Sequence, residues 1–345
     1  MKSSATNALP DTEYSALVTF LVSHGQMEAS EEPWCSRLTG GVSSDIWRVD
    51  LPGRTLCVKR ALGKLKVAAE WEAPLTRNAY EWAWLQFAAE QAPDNVPHPI
   101  ARDADAGLFA MSFLPPALYP VWKTQLMASQ VEASVAGEVG SLLARLHGAS
   151  AACPELEARF DSVENFYALR LEPYLVATAA KNIDVADVLL AIAQRTRDTR
   201  LALVHGDVSP KNILIGPNGP VFLDAECAWY GDPAFDLAFC LNHLLLKCLA
   251  LPHECDAFLS CFATLAEQYL QKVSWEPAVD LEARAASLLP ALMLARVDGK
   301  SPVEYITLDE HKRLVRITAC GFLHEPTARL MDIADAWRAA LAPAS

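Results

Sequence analysis

The 345-residue sequence is poor in several features, and each shortage removes a class of function. Basic residues are scarce: 29 Lys and Arg stand against 42 Asp and Glu, a formal charge of −13. A nucleic-acid binder needs clustered cations on one face, and none is present, so a nucleic-acid partner is excluded. Long apolar runs are missing too, and none approaches the roughly 20 residues that cross a bilayer. The stretch 16–22 is short and follows Asp11 and Glu13 instead of a basic segment, so it reads as neither a membrane span nor a signal peptide. No two of the nine cysteines form Cys-x-x-Cys. Cys240, Cys248, Cys255 and Cys261 lie near His243 and His253, but at spacings that match no zinc pattern, and they read as buried free thiols in helices. No disulfide framework or export signal stands out, which fits a cytoplasmic protein.

What is present is an ordinary globular composition, 52% hydrophobic and 21% charged. That excludes a disordered or collagen-like chain, and the length suits two lobes. Tyr14, Leu17, Val18 and Leu21 recur at helical spacing and predict an opening helix. From Trp34 to Arg60 the texture turns to β. Runs 46–51 and 55–59 flank the turn dipeptide Pro52-Gly53, and the small-residue stretch Thr39-Gly40-Gly41-Val42-Ser43-Ser44 precedes them. A helix is expected over 76–92, then two strands, the second at 108–114 and ending at Pro115-Pro116. That double proline suits a boundary. Beyond it helices dominate, over 132–147, 183–197, 233–250, 255–272, 279–297 and 327–341. A β island at 201–223 interrupts them, with its hairpin turning at Gly216-Pro217-Asn218-Gly219. The expected fold class is α+β: a small antiparallel β-sheet lobe, 1–113, and a larger mainly α-helical lobe, 114–345, joined by a hinge at about 111–117.

That hairpin carries the chemistry. His205-Gly206-Asp207-Val208-Ser209-Pro210-Lys211-Asn212 stands before it and Asp224-Ala225-Glu226 after it. Within 205–236 there are five acids (Asp207, Asp224, Glu226, Asp232, Asp236) and one base, Lys211. Carboxylates this dense repel unless a cation holds them together. Phosphoryl transfer uses such a set: a carboxylate orients the attacking hydroxyl, and an amide with further carboxylates holds Mg2+ on the nucleotide phosphates. Asp207 and Asn212 have the Asp-x-x-x-x-Asn spacing that places base and metal ligand on one loop, and Asp224 and Glu226 can complete an oxygen-only shell suited to Mg2+. Lys59 ends the β run 56–59, where a phosphate-pairing lysine belongs, and Glu81 on the following helix is its expected partner, ahead of Glu70 and Glu72. The turn lacks Gly-x-Gly-x-x-Gly, yet Gly40, Gly41, Ser43 and Ser44 are placed to cover phosphates.

These residues resemble the aminoglycoside phosphotransferase family of small-molecule kinases, from Thr39 to about Asn242. The resemblance implies the protein-kinase-like bilobal fold, ATP and Mg2+ as cofactors, and an acceptor that is a small polar molecule bearing a hydroxyl. It makes Asp207 the catalytic base, His205 a brace of the catalytic loop, Asn212 and Asp224 metal ligands, Lys59 the α/β-phosphate lysine and Asp236 a structural carboxylate. The hinge residues Met111, Phe113 and Leu114 are expected at the adenine. Two segments, from Val58 to Ala68 and from Asp224 to Gly231, are similar to methylthioribose kinases, which makes a methylthioribose-type sugar the alternative acceptor. The paired arginines those enzymes use near the sugar are not found. Trp229, Tyr230, Arg296, Asp298 and Lys300 are the acceptor-site candidates. A nucleotide-binding regulatory pseudokinase is the reading from another class. A protein kinase does not fit, because little chain separates Asp224 from Asp232.

Overall fold

In the computed structural model, residues 9–38, 44–62 and 76–342 are described. The chain divides into two compact units, Met1–Pro115 and Pro116–Ser345.

The first unit is an antiparallel sheet with helices. Helix α1 (Asp11–Ser23) precedes β1 (Trp34–Arg37), β2 (Ser44–Leu51) and β3 (Arg54–Ala61); α2 (Arg77–Gln91), β4 (Pro99–Asp103) and β5 (Leu108–Ser112) follow. The sheet order is β1-β2-β3-β5-β4. Alternation along β2 sends Trp47, Val49 and Leu51 into the core with Leu56 and Val58 of β3, and Leu17, Phe20 and Leu21 of α1 join the same cluster. The β2–β3 turn at Pro52-Gly53 uses a positive φ of 77° at the glycine, a conformation that residue adopts without penalty. The strand expected at 108–114 ends at Ser112, two residues short, leaving Phe113 and Leu114 outside it.

The second unit is mainly helical. It opens with α3 (Trp122–Met127), α4 (Ala133–Ser150), α5 (Pro154–Arg159) and α6 (Val163–Phe166). A π-helical run, Tyr167–Val176, continues into α7 (Ala177–Ala179), then α8 (Ala186–Asp198). Four short strands follow: β6 (Ala202–Val204), β7 (Ile213–Gly216), β8 (Gly219–Phe222) and β9 (Trp229–Gly231). Helices α9 (Ala234–Ala250), α10 (Cys255–Leu270), α11 (Ala278–Asp298), α12 (Asp309–His324) and α13 (Leu330–Leu341) complete it. Helix α9 is buried from Ala234 to Leu249 and forms the centre of the unit. Apolar residues surround its axis, as a central helix requires, and its polar residues Asp236, Asn242, His243 and Lys247 are buried with them. Three features differ from the sequence expectation. The strand β9 pairs with β6, α12 fills the stretch after Pro302, and the π-helical run replaces plain connecting chain. The nine cysteines are all free; Cys240, Cys248 and Cys261 are buried in α9 and α10 as expected, while Cys255, at the start of α10, is half-buried. Among the described residues no helix is long and apolar enough to cross a membrane.

Candidate active site

The catalytic-loop candidates are held from below by a buried carboxylate. Asp236, in the first turn of α9 and fully buried, accepts the backbone N–H of His205 at 2.7 Å and that of Gly206 at 2.8 Å. The ring of His147 on α4 also meets Oδ2, the oxygen that accepts from His205, at 3.2 Å, and is itself bonded to the Tyr269 hydroxyl of α10 at 2.7 Å. Gly206 sits at φ 79°, and a Cβ there would lie 2.7 Å from the Cys227 carbonyl oxygen. Only glycine lets the loop turn so close to the chain after the hairpin.

The ring of His205 then ties the two sides of the hairpin together. Its Nδ1 meets the backbone N–H of Asp207 at 3.2 Å, and its Nε2 meets the carbonyl of Leu223 at 3.0 Å. Since the first contact needs a lone pair on Nδ1, the ring proton belongs on Nε2, where it donates to Leu223. Burial favours this neutral form: it lowers the pKa of His205 against the pull of Asp236, Asp207 and Asp224. The brace therefore joins Asp207 to the residue just before Asp224.

Asp207 itself is 4% exposed and closely held. Asn212 donates its amide nitrogen to the Asp207 backbone carbonyl at 3.1 Å and to Oδ2 at 2.8 Å. Both atoms it meets are acceptors, so the amide nitrogen faces Asp207 and Oδ1 is left for another partner. The ammonium of Lys211 stands 3.2 Å from the same carboxylate oxygen. A further cation, which nothing in the motif spacing singles out, completes the set: Arg170, in the π-helical run, places Nη2 2.9 Å from Asp207 Oδ2 and donates Nε to the Gly206 carbonyl at 2.5 Å. Its guanidinium also lies over the rings of Tyr174 and Phe239, at 5.8 and 5.7 Å. Burial pushes the Asp207 carboxyl up, but Arg170 and then Lys211 outweigh it and hold the group below its ordinary value. The one sequence signal for Arg170 is a lone arginine in the otherwise apolar stretch Ala168-Leu169-Arg170-Leu171. The π-helical conformation is rare, and π-helical turns are frequently found at functional sites.

After the hairpin, Asp224 adopts φ 66°, one of three described non-glycine residues at positive φ. That conformation costs about 1–3 kcal/mol and persists only where the surroundings impose it. Glu226 follows, buried, with its carbonyl accepting the amide of Asn165 at 2.8 Å. Among the described residues no three His, Cys, Asp or Glu side chains form a metal cage by themselves. A cation that bridges phosphates needs none, because phosphate oxygens and water fill its remaining positions. The donor set here is an amide oxygen and carboxylates, the chemistry of a hard divalent cation.

In the first unit, Lys59 on β3 points to α2, and its ammonium lies 2.7 Å from Glu81 Oε1, both side chains being 3% exposed. Gly40, Gly41 and Ser43 lie outside the described residues; Ser44 opens β2 and is buried. Met111 is half-buried on β5, while Phe113 packs its ring 4.9 Å from the guanidinium of Arg48. Leu114 is half-buried.

The acceptor candidates separate sharply. Trp229 is fully buried and stacks on Phe166 with ring centroids 4.5 Å apart. Tyr230 occupies the β6–β9 ladder and donates its hydroxyl to the Leu201 carbonyl at 3.2 Å. Both act as core, because β9 buries every residue it has. Asp298 chelates Arg316 of α12 through both oxygens, and Lys300 pairs with Glu172 at 2.6 Å, so these two close the end of α11. Of these candidates Arg296 alone lines a small cavity shared with Pro210 and Lys211 of the 205–212 loop.

The model of the phosphotransferase enzyme family matches residues 34–247, which include every residue of 205–226 described above. A methylthioribose kinase of Bacillus cereus is 24% identical over 269 residues, covering 70% of this chain and 68% of the relative. Among solved structures, an ethanolamine kinase of Plasmodium vivax aligns over 94% of this chain and 93% of its own, with a TM-score of 0.59 and 12% identity. An amicoumacin kinase in complex with AMP-PNP, Ca2+ and its ligand covers 88% of this chain and 91% of its own, with a TM-score of 0.58 and 13% identity. At such identities the structural likeness shows the fold, which is protein-kinase-like. With a family match across 34–247 of a 345-residue chain, the protein belongs to the phosphotransferase enzyme family.

Proposed function

We propose that this protein is a small-molecule kinase that transfers the γ-phosphoryl group of ATP to a hydroxyl of a small polar acceptor, with Mg2+ as its metal. The observation that carries the reading is the arrangement around Asp207. A single carboxylate is gripped by Asn212, Lys211 and Arg170 and braced through His205 to the residue before Asp224.

Asp207 is ionised at neutral pH and too weak a base to take a proton from an alcohol in the ground state. Its task is therefore to accept the hydrogen bond of the acceptor hydroxyl, aim a lone pair in line with the γ-phosphorus, and receive the proton as the new P–O bond forms. Arg170 and Lys211 keep it charged and fixed while it waits. Asn212 Oδ1, Asp224 and Glu226 are the residues that would hold the metal, which when bound screens the phosphate charges. Lys59, kept extended by Glu81, supplies a cation for the α/β-phosphates. Gly40, Gly41, Ser43 and Ser44 would cover the phosphates, and the backbone of 111–114 would meet the adenine.

Asp207→Asn should lower ATP-dependent turnover by about 10^3-fold or more in the folded variant while leaving nucleotide affinity nearly unchanged, with some loss of stability because buried Arg170 loses its carboxylate. Turnover that survives the substitution would show that Asp207 does not orient the acceptor hydroxyl. The similarity to methylthioribose kinases over 269 residues favours methylthioribose as one acceptor to try first. ADP release with that sugar decides this narrower reading, and its absence rejects the sugar without touching the kinase assignment.

A further inference from the structure

Beside the catalytic loop the second unit contains a cavity of about 40 Å3 with an unusual lining. On the usual scale of roughly 10–15 Å3 per water centre, that admits a few waters or one small oxyanion group. Four cations face it from four parts of the chain: Lys123 of α3, Lys211 of the catalytic loop, Lys247 of α9 and Arg296 of α11. Glu304 is the one carboxylate in the lining, and it is already bound to Lys123. The remaining polar residues are His243 and Tyr305.

These cations are not fully used by the protein. Lys247 is 1% exposed, yet among the described residues its ammonium has one hydrogen bond, a long one of 3.5 Å to the His243 carbonyl, and otherwise lies 5.0 Å from the centre of the Tyr305 ring. An ammonium has three donors to satisfy, and burying one with a single weak bond is costly. The Tyr305 hydroxyl and Arg296 Nε are likewise shielded from solvent with no hydrogen-bond partner among the described residues. Lys247, Arg296 and Tyr305 all line one small space with a single carboxylate among its residues, which makes a site that is electrostatically incomplete until an anion enters. Lys211 belongs both to this lining and to the ion pair with Asp207, so whatever anion is held here sits next to the hydroxyl-orienting carboxylate.

We propose that this cavity is an acceptor subsite for an oxyanion, a carboxylate or phosphate group, so that the kinase acts on a hydroxylated acid and not on a cationic amine. The inference rests on the kinase reading and names its acceptor class. A cationic acceptor group would be repelled by Lys247 and Arg296, neither of which is ion-paired to a carboxylate among the described residues, whereas Lys123 and Lys211 are. A neutral sugar would leave the donors of Lys247, Tyr305 and Arg296 with water at best.

The test uses the full chain and matched pairs of acceptors, glycerate with glycerol, gluconate with glucose, and ribose 5-phosphate with ribose, assayed by ADP release alongside methylthioribose and an aminoglycoside. Inorganic phosphate binding is measured separately by calorimetry without nucleotide. The charged member of at least one pair should exceed its neutral partner by about tenfold or more in kcat/KM. Phosphate binding should weaken by about tenfold in Lys247→Met and in Arg296→Gln, with both variants checked for an unchanged circular dichroism spectrum. Turnover of a neutral or cationic acceptor with no inhibition by phosphate, or phosphate affinity equal in wild type and both folded variants, overturns the proposal. If both variants weaken ATP as much as phosphate and leave ADP binding unchanged, the oxyanion held is the terminal phosphate of the nucleotide, and the acceptor assignment is wrong. Failure of the kinase reading looks different: ATP would not bind, while phosphate binding would still respond to Lys247→Met.

Discussion

Replacing Lys247 by methionine keeps the apolar stem that fills its slot on α9 and removes the ammonium, so it isolates the cost of burying that charge. Burial, reinforced by Lys123, brings the amine down from the ordinary 10.5 to about 7, with Glu304 opposing. The gap between 10.5 and about 7, at about 1.4 kcal/mol per pH unit, corresponds to about 5 kcal/mol against the charged form in the folded protein. Below pH 7 both the folded and unfolded chains carry the proton, and the whole penalty is present. Between pH 7 and 10.5 the unfolded chain holds more protons, so the native state gains stability as pH rises. With these two pKa values, wild type should gain about 2 kcal/mol relative to Lys247→Met between about pH 6 and about pH 8.5. The variant should be at least as stable as wild type at the lower pH. Guanidinium unfolding followed by tryptophan fluorescence, in a phosphate-free zwitterionic buffer, reads this difference directly. Adding phosphate at the lower pH should restore part of the stability of wild type and little of that of the variant, since a bound anion offsets the buried charge. A difference between the two proteins that is constant across pH, or one that grows toward alkaline pH in favour of the variant, would refute the electrostatic account of this cavity.

Other predictions follow from the same geometry. Arg170→Met removes a cation that holds Asp207 below the carboxylate range, so kcat should fall by about 10–100-fold and the acidic limb of its pH profile should move to higher pH. A purely structural arginine would change stability and leave that limb in place. Glu81→Gln leaves Lys59 in a buried site without its 2.7 Å carboxylate, and should cost about 3–5 kcal/mol in denaturant unfolding, with Lys59→Met/Glu81→Leu recovering much of it. Gly206→Ala forces a side chain into φ 79° against the Cys227 carbonyl and should destabilise the chain by about 2 kcal/mol or more, with loss of turnover as the loop shifts.

How much was legible in the sequence depends on the distance over which each feature is built. The spacing from Asp207 to Asn212 is local, and a short loop between strands can place the two side chains against each other, as the 2.8 Å contact shows. The hairpin was likewise readable from Gly216-Pro217-Asn218-Gly219, and the β2–β3 turn from Pro52-Gly53. Lys59 and Glu81 are 22 residues apart, yet strand periodicity and helix phase bring them to one place. Trp229 and Tyr230 misled, because an aromatic pair beside Asp224-Ala225-Glu226 reads the same whether its strand lies against a ligand or against Phe166. Asp298 and Lys300 misled for a related reason: charges at a helix end look available until Arg316 and Glu172 are found waiting for them.

The sequence by itself determined the α+β plan, the acidic cluster in 205–236 and the order of Asp207, Asn212, the hairpin, Asp224 and Glu226, since these rest on turn chemistry and periodicity within a few residues. Only the tertiary structure decided what surrounds them. Arg170 reaches Asp207 from 37 residues upstream because a π-helical run turns it inward. The cationic cavity exists because Lys123, Lys211, Lys247 and Arg296, from four separate parts of the second unit, converge on one space. A net charge of −13 gives no hint of it. Charge composition sums over the chain, whereas electrostatics at a site depends on distance and burial, and those are set by how the elements pack.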